Sequence, residues 1–133
     1  MLMVSTSAQN DKSCMEAKAK FGKGFIVGVS CTDSLLQYKI AENQKADYVA
    51  FGPMYKTFSK RKKKIDNDKI FDLLKKLRLP FTLIGGINHS NFMELVKFKP
   101  HNIAIISSIW NFHKGPIESA IIYNSIIKEG SHR

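Results

Sequence analysis

A parallel α/β fold is what this sequence predicts, on three observations. Short apolar runs recur along the chain: FIVGVS (Phe25 to Ser30), ADYVAF (Ala46 to Phe51) and FTLI (Phe81 to Ile84). Amphipathic helical stretches alternate with them, as βα units around a parallel sheet require. Glycine or serine follows the runs, at Ser30, Gly52, Gly85-Gly86 and Ser107-Ser108.

Met1 to Val4 reads as the end of a first strand. Asp11 to Lys20 is expected to be helical, with Met15 and Ala19 four apart and Gly22 as its stop. After the strand Phe25 to Ser30, Asp33 is placed to cap a helix over SLLQYKIAENQ, with Leu36 and Ile40 on one face. Gly52-Pro53 ends the strand Ala46 to Phe51, and a polar loop runs from Met54 to about Ile65. Asp66 or Asn67 caps a helix carrying Ile70, Leu73, Leu74 and Leu77, which Pro80 closes. Phe81 to Ile84 is a strand. His89-Ser90-Asn91 opens a helix through Met93 and Val96, and NIAII (Asn102 to Ile106) is the last strand. Pro116 starts a final helix with Ile117, Ala120 and Ile121 on its buried side. No linker or change of composition divides the chain, so residues 1–133 are expected to form one domain.

Composition narrows the function classes. Hydrophobic residues make up 44% and charged residues 24%, ordinary values for a globular domain. No apolar run approaches the roughly 18 residues that span a bilayer, and the first residues lack a signal peptide's basic and apolar regions. A cytoplasmic protein without membrane contact is expected. Cys14 and Cys31 match no metal spacing, and His89, His101, His113 and His132 form no ligand cluster, so no zinc site is expected. The net charge of +10 suits anionic partners, and it is densest from Lys56 to Lys64. Nucleic acid is not expected. No recognition motif is present, and Phe58 is the only aromatic within that basic run.

The candidate chemistry sits at strand ends. Gly85-Gly86 lets the backbone approach a ligand, and Ile106-Ser107-Ser108 follows the next strand. A glycine pair alone also fits a plain tight turn. Paired with the serines one unit later, it matches the phosphate site formed late in a (β/α)8 barrel. Thr57, Ser59 and Lys60, in the loop from Tyr55, offer hydroxyls and an ammonium to an oxyanion, and the same loop also reads as solvated. Asp11 is a carboxylate at a helix start, and Ser30 a strand-end hydroxyl. Either has an ordinary structural use.

Taken in order, Ala8-Gln9-Asn10-Asp11, GVSCTDSL (Gly28 to Leu35), ADYVAFGPMYKTFSK (Ala46 to Lys60), LIGGIN (Leu83 to Asn88) and IAIISSIW (Ile103 to Trp110) resemble the thiamine-phosphate synthase family. The resemblance implies a partial (β/α)8 barrel of about four to five βα units, the carboxy-terminal portion of the family's fold. It implies joining of hydroxymethylpyrimidine diphosphate to thiazole phosphate, giving thiamine phosphate and pyrophosphate, with Mg2+ as cofactor. Asp11 then resembles one of two magnesium carboxylates. Ser30 and Lys60 resemble contacts to the pyrimidine diphosphate and carry the catalytic role. Thr57, Ser59, Gly86, Ile106 and Ser107 resemble contacts to the thiazole phosphate.

The chemistry suits these residue types. Expelling pyrophosphate builds negative charge on the leaving group, which a metal ion, an ammonium and hydroxyl donors stabilise. The nucleophile is a thiazole nitrogen, so no tuned general base is required. A sister branch, the thiazole tautomerases, uses a histidine just after the strand ending at Ser30; Cys31 and Thr32 stand there. A non-catalytic phosphate-binding half barrel is the remaining alternative. A half barrel has two open strand edges, which self-association or pairing with a separate amino-terminal half would cover.

Overall fold

The computed structural model describes residues 2–7, 13–56 and 66–131. Its five strands are β1 (Leu2–Ser7), β2 (Phe25–Thr32), β3 (Tyr48–Phe51), β4 (Phe81–Ile84) and β5 (Asn102–Ala104). The helices are α1 (Ser13–Phe21), α2 (Leu35–Asn43), α3 (Asn67–Leu74), the short α4 (Ser107–Trp110) and α5 (Pro116–Ser131), with a 3-10 helix over Phe92–Phe98. The strands pair in chain order, β1 to β5, and every pairing is parallel. All strand C-termini therefore share one rim, and a connection through a helix or helical turn follows each.

The two faces of the sheet differ because side chains alternate along a strand. Val27, Val29, Cys31, Val49, Phe51 and Leu83 point to the helical side and are almost fully buried. They meet Cys14 of α1, Tyr38 and Ala41 of α2, Ile70 and Leu74 of α3, and Leu95 of the 3-10 helix in one core. The register puts Ser30, Ala50, Thr82 and Asn102 in a row across β2 to β5 on the other face. These side chains are short or polar, whereas a closed barrel is usually filled there by Val, Ile and Leu.

Polar ties fix the helices. Gln44, buried at the end of α2, accepts from the N–H groups of Cys14 (3.0 Å) and Met15 (3.2 Å), so it satisfies the first turn of α1. Asp47 accepts from the Val27 N–H at 2.7 Å and pairs with Lys18 at 3.1 Å. The Tyr38 hydroxyl donates to Glu42 (3.0 Å) and accepts from the Arg78 N–H (2.9 Å), which holds the turn before β4.

Several expectations need correction. The first strand extends to Ser7, while the last stops at Ala104 rather than Ile106. Ser34, not Asp33, caps α2; its side chain accepts from the Gln37 N–H at 3.2 Å. Asp66 caps α3 as expected, accepting from the Asp68 N–H at 3.0 Å. Met15 and Ala19 face outward on α1, with Cys14 and Ala17 inside. Leu36 is exposed, and Tyr38 and Ala41 form the inner face of α2. The segment holding Met93 and Val96 is a 3-10 helix, whose buried residues are Phe92, Leu95 and Phe98. On α5, Ile117, Ala120 and Ile121 are exposed, and Ser119 and Tyr123 are buried. Residues 8–12 and 57–65 lie outside the described residues, so Asp11, Thr57, Ser59 and Lys60 have no structural placement.

Candidate functional site

The chain after β3 lies directly on the end of β4. The N–H groups of Met54 and Tyr55 donate to the carbonyls of Ile84 (3.0 Å) and Gly85 (3.1 Å). Such backbone contact requires glycine. Gly85 and Gly86 have φ of +102° and +65°, and a Cβ on Gly86 would stand 2.7 Å from the Tyr55 carbonyl oxygen. The glycine pair is thus more than a tight turn, because it seats the neighbouring loop against the rim.

Asn91 fixes the outgoing chain. Its Nδ2 donates to the Gly86 carbonyl at 3.1 Å, and its Oδ1 accepts from the Asn88 N–H at 2.8 Å. The Tyr55 hydroxyl donates to Glu94 at 2.8 Å, joining the β3 loop to the 3-10 helix. Burial and then the adjoining Glu94 carboxylate push this phenol well above its ordinary range.

Gly86, Ile106 and Ser107 line one cavity of about 280 Å3, with Ile84, Ala104, Trp110 and Asn111 completing much of its wall. Among the described residues, the N–H groups of Gly86, Ile106 and Ser107 have no protein acceptor. Three donors at the ends of adjacent parallel strands, with a serine hydroxyl among them, suit an oxyanion. Ser30 is exposed at the end of β2 on the same rim, but it does not line this cavity. A larger cavity of about 640 Å3 between the 3-10 helix, β5 and α5 is lined by none of the predicted site residues.

Asn91, Trp110 and Asn111 were not among the expected site residues. Asn88 and Asn91, three apart after a glycine pair, are a signal for a side-chain-capped turn. Trp110 gives no sequence signal as a site residue, because aromatic residues most often serve the core. Among the described residues no group of three or more His, Cys, Asp or Glu side chains could hold a metal ion, and Asp11, the expected magnesium carboxylate, lies outside them. Nor, among them, is any helix long and apolar enough to cross a membrane.

Residues 8–109 match the family model of thiamine monophosphate synthase. The chain is 38% identical over 113 residues to the thiamine-phosphate synthase of Pelagibacter ubique, covering 84% of this chain and 54% of that protein. It is 31% identical over 121 residues to the same enzyme of Rhodospirillum centenum, covering 90% and 58%. The chain thus spans about half the length of these curated relatives. Among solved structures it matches thiamine phosphate pyrophosphorylase from Pyrococcus furiosus with a TM-score of 0.77 and 25% identity, over 95% of this chain and 59% of that one. A likeness in fold extends to 3-hexulose-6-phosphate synthase from Salmonella typhimurium, with a TM-score of 0.67, 22% identity, and coverage of 96% and 62%. The parallel sheet is part of a (β/α)8 barrel, and the chain belongs to the thiamine monophosphate synthase family.

Proposed function

We propose that this chain carries the thiazole-phosphate-binding part of a thiamine-phosphate synthase, which joins hydroxymethylpyrimidine diphosphate to thiazole phosphate and releases pyrophosphate. One observation supports this most: Gly86, Ile106 and Ser107 converge on a single cavity with unpaired N–H groups. In this reading those donors hold the phosphate and orient the thiazole nitrogen as nucleophile. Thr57 and Ser59 add hydroxyl contacts to that phosphate. Ser30 and Lys60 contact the pyrimidine diphosphate and stabilise its departing charge. Asp11 is the magnesium carboxylate that this chain offers. The chain acts as one domain in this reading, with either a second copy or the remaining βα units covering its open strand edges.

The test is thermal unfolding of the purified chain with thiazole phosphate. At about one hundred times the dissociation constant a specific ligand adds about 2.7 kcal/mol, a shift of several degrees. An oligonucleotide at matched charge should give none. Stabilisation by the oligonucleotide with no response to thiazole phosphate would overturn the reading. Turnover to thiamine phosphate by the same preparation separates a complete catalyst from a phosphate-binding portion that needs further βα units.

A further inference from the structure

The cavity of about 640 Å3 between the 3-10 helix, β5 and α5 has no part in the function proposed above. Its lining meets that of the phosphate cavity only at Ile105. Side chains alternate along β5, and Ile103 stands in register with the buried Leu83. The cavity therefore opens on the helical face of the sheet and not at the strand-end rim.

Its walls are hydrocarbon. Ile103 and Ile105 form the floor, Met93 and Val96 of the 3-10 helix one wall, and Ile127 of α5 the other. The two walls touch where the Phe92 and Tyr123 rings meet, with centroids 5.4 Å apart, and at Gly130, where an added Cβ would lie 2.6 Å from the Met93 Cε. Met93, Val96 and Ile127 stay substantially exposed. An apolar trough of this volume is the size of a small-molecule site.

The polar lining carries charge of one sign. Lys99 and His101 lie in the turn that enters β5, and no lining residue is acidic. Lys99 makes no ion pair among the described residues. The His101 imidazole is fixed, because the Phe81 N–H donates to its Nδ1 at 3.3 Å and the Phe81 ring packs edge-on at 5.6 Å. An Nδ1 that accepts leaves the ring hydrogen on Nε2, which has no acceptor among the described residues. One ammonium and one N–H donor match a single carboxylate. The net charge of +10 also favours an anionic occupant over a second copy of the same chain.

We propose that this groove binds a small amphiphilic monocarboxylate, with its hydrocarbon chain along Ile103, Val96 and Ile127 and its carboxylate held by Lys99 and His101. The ligand is recognised by an apolar body and one anionic head, whereas the phosphate cavity offers backbone donors.

The full chain is titrated calorimetrically with hexanoate, octanoate and decanoate, and with octanol as the uncharged counterpart. Affinity should rise about two- to fourfold per methylene, as expected for hydrocarbon leaving water. Octanoate should bind about tenfold more tightly than octanol, through charge-assisted hydrogen bonds at its head. Lys99→Glu, at an exposed position, should weaken octanoate about tenfold and leave octanol unchanged. Gly130→Phe sets a ring into the trough against the movable Met93 side chain and should abolish binding of both. Equal affinity for octanoate and octanol, no gain with chain length, or undiminished octanoate binding in Lys99→Glu overturns the proposal. Failure of every carboxylate to bind overturns it too, and sedimentation of the same preparation as a dimer that Gly130→Phe dissociates would assign the groove to a second copy instead.

Discussion

Replacing Gly86 by alanine tests the geometry on which the site depends. The residue has φ of +65°, and a new Cβ would meet the backbone oxygens of Tyr55 at 2.7 Å and Lys56 at 2.8 Å. A left-handed conformation costs a side-chain-bearing residue about 1–2 kcal/mol. The overlap is with main chain, so relief requires moving the whole β3 loop, at a further cost of about 1–3 kcal/mol. Together these give roughly 2–5 kcal/mol, or a fall in melting temperature of about 8–20 °C for a chain of this size. Two other glycines calibrate the separate contributions. Gly22 has φ of +79° but nothing within 4 Å of its would-be Cβ, so Gly22→Ala isolates the strain at about 1–2 kcal/mol. Gly24 has neither constraint, and Gly24→Ala should stay within about 0.5 kcal/mol of the parent. Urea unfolding of the three variants reads the series directly. If Gly86→Ala loses no more than Gly22→Ala, close packing of the two loops is not what this glycine serves, and the account of the rim is wrong.

Other consequences are measurable on the same preparation. Gln44→Leu strips the acceptor from the Cys14 and Met15 N–H groups and should lower stability by about 2 kcal/mol, read as a drop in the urea midpoint. Ser119→Val leaves the Ser108 carbonyl without its donor and His89 Nε2–H with only the Ser119 carbonyl at 3.3 Å, so about 1–3 kcal/mol should be lost; a neutral result would mean that this network contributes nothing. Cys14 and Cys31 are buried free thiols, and a thiol reagent should label neither until the chain unfolds. Burial pushes the Cys31 thiol up to about 12 and raises the Cys14 thiol and the Tyr48, Tyr55 and Tyr123 phenols. Each of these groups is more acidic unfolded than folded. Their stabilising effect is therefore full below the ordinary thiol range of about 8.5 and declines as pH rises through and beyond it. The unfolding free energy should fall between pH 9 and pH 11, and a rise over that interval would contradict the burial argument.

The strands were legible because their apolar runs face a helical layer that accepts little else. Val27, Val29, Cys31, Val49 and Phe51 are buried at every second position, with glycine, serine and alanine between them. Helix orientation was harder to read, and α5 shows why. Its apolar residues at 117, 120, 121, 122, 123, 126 and 127 spread around the whole circumference at 100° per residue, so no stripe identifies an inner face. The choice falls to Ser119 and Tyr123, whose hydroxyls meet the Ser108 carbonyl and hydroxyl at 2.7 Å each. Hydrogen bonds to another helix leave no periodic mark. The segment from Phe92 gave the opposite lesson. Phe92, Leu95 and Phe98 are three apart, which is the 3-10 repeat, whereas an α-helical reading favours spacings that mix three and four.

The candidate site was legible to a similar, partial degree. Gly86, Ile106 and Ser107 follow successive strands, and parallel pairing in chain order puts all successive strand ends on one rim. Once the topology was right, their convergence followed. What the order of elements could not give is which side chains complete the wall. Asn91 reaches back to Gly86 because its turn is set by Asn88, and Trp110 lines the cavity because α4 is only four residues long. Lys56 reaches the rim beside Gly86 because the β3 loop is seated on Gly85 and Gly86. Each placement depends on a loop conformation, which local hydrogen bonds decide and hydrophobic pattern does not. The same dependence gives the site its vulnerability. A change that unseats the β3 loop should disturb the backbone donors of the rim, even though no ligand contact has been removed.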